Sequence, residues 1–154
     1  AADHLDAVVF MVQKEVAERI TAGAGEMGSL SVLCQMLAEP RIVVRVPRSA
    51  FLPPPKVDSA VVHLRLRDAE ELARMFVGTT LERVFVISRA AFAEPRKQLK
   101  NTLLAVANAE RLTKAFAESG VAPSARPETL TVAQWAALAA ALEKKEPDPI
   151  TKVV

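Results

Sequence analysis

Leu5 to Val12 (LDAVVFMV) is a near-continuous apolar run rich in β-branched residues. Such a run predicts a strand buried on both faces, the habit of a parallel sheet. Helical spacing takes over from Gln13 to Thr21, where Val16 and Ile20 sit among Lys14, Glu15, Glu18 and Arg19. Ala22 to Gly28 predicts a glycine loop. Ser29 or Ser31 is placed to cap a short helix through Leu37, with Leu30, Leu33, Cys34 and Leu37 as its apolar side. Glu39-Pro40 stops that helix. Arg41 to Val46 reads as a strand. Four prolines between Pro47 and Pro55 exclude regular structure there. Ser59 to Leu66 then alternates, with Ala60, Val62, Leu64 and Leu66 against Val61, His63, Arg65 and, beyond it, Arg67. That is a strand with one basic face.

After Arg67 the period changes. Glu70–Met75 and Thr80–Phe92 read as helices, the second with Leu81, Val84, Phe85, Ile87 and Ser88 on one stripe. Pro95 is placed at a helix start, where its missing N–H costs nothing. The helix it opens runs from Arg96 to Ala107, with Leu99, Leu103, Leu104 and Val106 as its apolar residues. Another helix from Ala109 to Ser119 ends at Gly120. Pro123–Thr129 is a loop, and Thr131 with Gln134 predicts a capping box for a last helix through Lys144. The pattern therefore predicts α/β plus all-α: an α/β half over 1–67, a helical bundle over 68–145 and a frayed tail over 146–154.

Composition narrows the chemistry. Of 154 residues, 51% are hydrophobic and 25% charged, which suits a globular chain with a real core. No apolar run approaches the ~20 residues of a membrane span, so no membrane partner is expected. The one cysteine, Cys34, excludes an internal disulfide and a multi-cysteine metal site, and suits a reducing compartment. Its place on an apolar helical stripe makes it a core residue. His4 and His63 are too far apart for a helical metal pair, so no metal ligands are assigned. Net charge is only +2, but Arg41 to Asn101 holds twelve Lys/Arg against six Asp/Glu. A basic middle suits a polyanion, or else a solvated face. The chain also starts at Ala1, just short of a strand, which suggests part of something longer.

Four segments could carry chemistry. Gly23-Ala24-Gly25-Glu26-Met27-Gly28 matches G-x-G-x-x-G, but it follows a helix rather than a strand, so it reads as a connection rather than a dinucleotide site. Phe51-Leu52-Pro53-Pro54-Pro55-Lys56-Val57-Asp58-Ser59 places one aromatic at the start of a stiff proline run. Such a ring is either packed in a core or displayed to stack on an extruded nucleobase. Arg89, Arg96, Lys97 and Lys100 gather four cations in twelve residues, either a solvated helix face or a phosphate-facing one. On a continuous helix Arg96 and Lys100 share a face. Gln13-Lys14-Glu15 follows the first strand and is either a first helical turn or one wall of a cleft.

Taken in order, MVQKEVAERI, LSVLCQ, FLPPPKVDSAVVHL, SRAAFAEPRKQLKN and SGVAPSARPETLTVAQWAALA resemble the ribosomal RNA small-subunit adenine dimethyltransferases of the KsgA/RsmA type. The resemblance runs from about Asp6 to about Leu142. It implies the C-terminal remnant of a Rossmann-like S-adenosylmethionine-dependent methyltransferase sheet, followed by a small helical bundle. It implies direct transfer of methyl groups to two adjacent adenines of small-subunit rRNA, in the pre-30S particle during ribosome biogenesis in the cytoplasm. By the same resemblance Phe51 is the catalytic-site aromatic that stacks on the target adenine, and Arg89, Arg96, Lys97 and Lys100 are RNA-binding. Pro95 stands where the family's basic run has an arginine. The family's glycine-rich cofactor loop, its acidic ribose-binding residue and its Asn-Leu-Pro-Tyr segment lie upstream of what is present here, and a chain without tyrosine cannot contain the last. The parent protein is therefore expected to use S-adenosylmethionine, while this chain is expected to bind none, to be inactive alone and to self-associate through an exposed sheet edge. Large-subunit resistance methyltransferases and mitochondrial transcription-factor homologues share the architecture. The alternative reading is a non-catalytic RNA-binding or ribosome-assembly module, and a third is a nucleotide-binding enzyme using Gly23–Gly28.

Overall fold

The computed structural model describes residues 5–94 and 96–143. The helix-start role read for Pro95, the helix end at Lys144 and the frayed tail over 146–154 lie outside the described residues. Three strands, β1 (Ala7–Gln13), β2 (Ala38–Val46) and β3 (Ser59–Leu66), form one sheet in the order β1-β3-β2. Between β1 and β2 run α1 (Lys14–Thr21) and α2 (Ser29–Leu37). After β3 come α3 (Ala69–Met75), α4 (Leu81–Phe92), α5 (Leu99–Thr102), α6 (Ala109–Ser119) and α7 (Val132–Glu143).

Both strand pairings are antiparallel, with Phe10 and Ile42 each opposite Val62. The expectation of a doubly buried strand in a parallel sheet is overturned. Among the described residues β1 has β3 as its one neighbour, and Val9 (61%) and Met11 (50%) are exposed. The β-branched run reported strand propensity, which says nothing about whether the second face is covered. Phe10, Val12, Ala60, Val62, Leu64 and Ile42 pack instead under Ala17 and Ile20 of α1, with Cys34 alongside. Cys34 is half-buried against this core rather than sealed inside it, and that partial burial raises its thiol above its ordinary value. Pro40 is tolerated inside β2 because β2 is an edge strand, and the register slips by one residue between Ile42 and Val44.

The larger core is helical. Trp135, Ile87, Leu99, Leu103 and Leu138 are fully buried, and the Phe92 and Trp135 rings lie 5.9 Å apart between centroids. Met27, Val32 and Met36 pack into this core although they precede residue 67. The stripe read for α2 is therefore corrected. Val32, Met36 and Ser31 are its buried residues, while Leu30 and Leu37 are exposed. A helix wedged between two cores buries residues from two directions, and the one-stripe reading finds only Leu33 against the helical core and Cys34 against the sheet core. The Thr131–Gln134 box forms as read, the Thr131 N–H donating to Gln134 Oε1 at 2.9 Å and the Gln134 N–H to Thr131 Oγ1 at 3.2 Å.

The two regions meet through charge. Arg65 pairs with Glu71 at 2.8 Å and with Glu39 at 2.9 Å, and Arg67 pairs with Glu39 at 3.3 Å while donating to the Gln35 carbonyl. Glu71 also closes the cap of α3, accepting the Asp68 N–H at 3.0 Å while Asp68 accepts the Glu71 N–H at 2.8 Å. The basic face expected on β3 is thus neutralised at Arg65 and Arg67. Hydrogen bonds from Arg65, and then from the Asp68 backbone, hold the Glu71 carboxyl at about 2 instead of the ordinary 4.5. The Arg65 hydrogen bond lowers Glu39 as well.

A carboxyl depressed in the folded state adds stability above its unfolded value and loses it as pH falls through the folded one. The thermal midpoint should therefore drop between pH 4.5 and about 2. Arg65→Gln should lower the midpoint at neutral pH and flatten that acid limb, read by circular dichroism melts across pH. Parallel profiles for the two proteins would contradict this role for the pair.

Candidate nucleic-acid interface

Val46 and Gln13 both pair with Ser59, so the 47–58 loop leaves and re-enters the sheet at the end where β1 hands over to α1. Short bonds close the loop at its start. The Pro47 carbonyl accepts the Ala50 N–H at 3.0 Å, and the Arg48 carbonyl accepts the Phe51 N–H at 3.3 Å. Asp58 then fastens the far end twice. Its Oδ1 accepts the Arg48 N–H at 2.9 Å, and its carbonyl accepts the Lys14 N–H at 3.0 Å. Lys14 opens α1, so that amide is one of the donors a helix start leaves unpaired. The Asp58 of K-V-D-S is therefore a clasp joining the loop, the first turn of α1 and the start of β3.

Between these anchors Leu52 to Val57 are exposed, Leu52 at 98%, and three successive prolines restrict the backbone. The Leu52–Pro53 peptide is cis. Phe51 is half-buried and belongs to neither hydrophobic core. It lines a shallow hollow of about 510 Å³ with Arg48, Ser49, Leu52, Pro54 and Pro55. Gln13 ends β1, while Lys14 and Glu15 form the first turn of α1, as the helical-turn reading has it, and line a neighbouring hollow.

The basic segment differs from its expected form. No helix runs from Arg96 to Ala107. Arg96 has a left-handed φ of 72°, α5 starts only at Leu99 after Gln98, and it tightens into a 3-10 turn at Leu103. Arg96 and Lys100 therefore do not share a helix face. The Lys100 N–H, which such a helix would direct to the Arg96 carbonyl, donates instead to the Pro123 carbonyl at 3.1 Å, and the Leu99 N–H donates to the Ala125 carbonyl at 2.9 Å. Arg89, in the last turn of α4, Arg96 and Lys100 are exposed and have no ion pair among the described residues. Lys97 is paired with Glu94. The same backbone bonds bring in Arg126, exposed and without a carboxylate partner among the described residues, which the sequence pattern hides inside a plain loop. Its signal was the cation within P-S-A-R-P-E. No hydrogen bond or ion pair among the described residues joins the Phe51 loop to 89–100.

Gly23–Gly28 connects α1 to α2, and the Gly25 N–H is spent on the Glu128 carbonyl at 2.8 Å. A side chain at Gly23, Gly25 or Gly28 would meet nothing within 4 Å, so these glycines line no cradle. The dinucleotide reading of this loop falls. No His/Cys/Asp/Glu group among the described residues could hold a metal.

The sequence profile of the family described as "Ribosomal RNA adenine dimethylase" matches residues 2–144. Proteins named ribosomal RNA small subunit methyltransferase A are similar over most of this chain. The one from Zymomonas mobilis is 43% identical over 139 residues, 89% of this chain and 47% of the relative. The one from Anaeromyxobacter dehalogenans is 44% identical over 143 residues, 90% and 49%. The chain thus spans about half the length of the curated relatives it matches. Among solved structures, the 23S rRNA methyltransferase ErmE covers 93% of this chain at 29% identity and TM-score 0.64, with 57% of its own chain matched. A Plasmodium falciparum dimethyladenosine transferase shares the fold at TM-score 0.65 and 22% identity, over 90% of this chain and 58% of its own.

The clasp generates a local prediction. Asp58→Ala should cost about 0.5–1.5 kcal/mol in urea denaturation and speed exchange of the Arg48 amide. Asp58→Asn, which keeps an acceptor oxygen, should protect that amide. Equal exchange in all three proteins would remove Asp58 from this role.

Proposed function

The chain belongs to the ribosomal RNA adenine dimethylase family, and from that premise we propose that it is the base-stacking and RNA-docking part of an S-adenosylmethionine-dependent dimethyltransferase. In this reading the parent protein acts in the cytoplasm on two adjacent adenines of small-subunit rRNA within the pre-30S particle. The observation that carries the reading is Phe51, held at the accessible end of the sheet by a loop fastened at Asp58. A ring presented this way binds an unstacked adenine with little ordering cost, and stacking is worth about 1–3 kcal/mol per base. That offsets the few kcal/mol needed to extrude the base. Arg89, Arg96 and Lys100 have charge to spend on phosphate, whereas Lys97 shares its charge with Glu94.

The cofactor would supply the methyl group, and the roles proposed for Phe51, Arg89, Arg96 and Lys100 are to stack and dock the RNA rather than to hold that cofactor. In this reading the chain on its own stacks and docks but transfers no methyl group. The exposed, unpaired Arg89, Arg96 and Lys100 also suit a second reading, a module that binds RNA or takes part in ribosome assembly without chemistry. The unpartnered edge of β1, with Val9 and Met11 exposed beside it, is the surface through which isolated chains would pair. No helix among the described residues is long and apolar enough to cross a membrane.

The test combines methyl transfer and binding. With rRNA and S-adenosylmethionine the chain should incorporate no methyl group. Phe51→Ala should weaken binding of an adenine-containing single strand by about 1–3 kcal/mol. Replacing Arg89, Arg96 and Lys100 with Gln should reduce the salt slope by about 0.7 for each phosphate that is no longer neutralised. Methylation by the chain, or salt-independent binding indifferent to these changes, would overturn the reading.

A further inference from the structure

We propose that Arg48 and Lys56 form a phosphate clamp on the 47–58 loop, gripping the backbone of the RNA single strand whose base stacks on Phe51. The proposal rests on the stacking role of Phe51 and adds the groups that would hold the strand there.

Two hollows adjoin on this loop, and Arg48 lines both. The first, about 510 Å³, contains Phe51. The second, about 470 Å³, is lined by Lys56 together with Lys14, Glu15, Glu18 and Asp58. On formal charge the second hollow is balanced. On pairing it is not. Glu15 is held by Arg19 at 2.7 Å, outside the hollow. Glu18 is held by Arg45 at 3.0 Å and lies 3.9 Å from Lys14. Asp58 Oδ1 already accepts the Arg48 backbone N–H. The Arg48 guanidinium and the Lys56 ammonium have no ion pair among the described residues, and both side chains are exposed. Each acidic group of the hollow is therefore engaged, and two cations are left over.

Position makes those cations specific. Arg48 stands three residues before Phe51 across a 3-10 turn, a spacing that brings two side chains onto one side. Its backbone is fixed by the Asp58 carboxylate, so guanidinium and ring are offered together. Lys56 follows three prolines, which limit how far its backbone can wander. A nucleotide carries its phosphate on the sugar next to its base. A stacking ring flanked by two cations matches that layout, and guanidinium suits phosphate oxygens in particular. The occupant is a single strand, because a paired base is not free to stack.

The test is fluorescence anisotropy with a labelled RNA carrying one central adenine, in two forms. One has ordinary phosphodiesters. The other has uncharged methylphosphonate linkages on either side of the adenine. Two phosphates at about 0.7 each predict that Arg48→Gln/Lys56→Gln flattens the salt slope by about 1.4 on the ordinary strand. At 0.1 M salt that is a loss of about 25-fold. On the methylphosphonate strand the double variant should bind as the unmodified chain does. Arg48→Lys/Lys56→Arg, which keeps both charges, should stay within about threefold, and unchanged melting would show that the fold is intact. Equal binding of the ordinary strand by the double variant, or an equal loss on both strands, would overturn the clamp. So would free adenosine monophosphate competing as well as the strand. Phe51→Ala separates the two ideas. If it has no effect while the clamp variant loses affinity, stacking fails and the phosphate site stands; if it weakens both strands and the clamp variant does not, the clamp fails alone.

Discussion

Asp58 accepts two hydrogen bonds, one at its carboxylate from the Arg48 amide and one at its carbonyl from the Lys14 amide. Much of what this chain offers a ligand depends on them. A loop with four prolines and a residue as exposed as Leu52 has almost no core of its own to define its path. The anchors replace that core. They tie the loop to α1 and β3, which are held in turn by Ala17, Ile20, Ala60 and Val62. Rigidity at the base lets an aromatic ring and two cations stand at the surface in fixed relation, at low entropic cost on binding.

A second constraint operates at the junction of sheet and helices. There α2 faces both cores, and the Arg65–Glu39–Arg67–Glu71 network stitches the ends of β2 and β3 to the cap of α3. This network consumes charge that composition alone would assign to a nucleic-acid surface. Apart from Arg41 on β2, the exposed cations whose side chains have no ion pair or hydrogen bond among the described residues lie on the Phe51 loop and around Arg89, Arg96, Lys100 and Arg126. Basic surface here is a matter of which pairs are left unmade rather than of how many arginines the middle of the chain holds.

Much of this was legible from residue order. The alternation of Ser59–Leu66, the Thr131–Gln134 cap and the Gly120 helix stop emerged within a residue of their positions because each depends on neighbours in sequence. The Phe51 loop was legible too, since prolines advertise irregular backbone. What escaped was set by distant partners. Nothing local says that Leu99 and Lys100 will donate to 123–125, or that Arg96 will turn left-handed. Nothing local distinguishes a β-branched strand covered on two faces from β1, which is covered on one. The pairing of Lys97 with Glu94 was within reach, three residues apart, but it depended on a turn where a helix was expected.

The claim that Phe51 is a displayed stacking platform is tested most directly by its ring resonances, assigned in the proton spectrum and followed as a short single-stranded RNA with one central adenine is added. The ring should shift upfield and saturate with the binding curve, while the core ring of Phe116 stays in place. A Phe51 signal that does not move at saturating RNA would contradict the account.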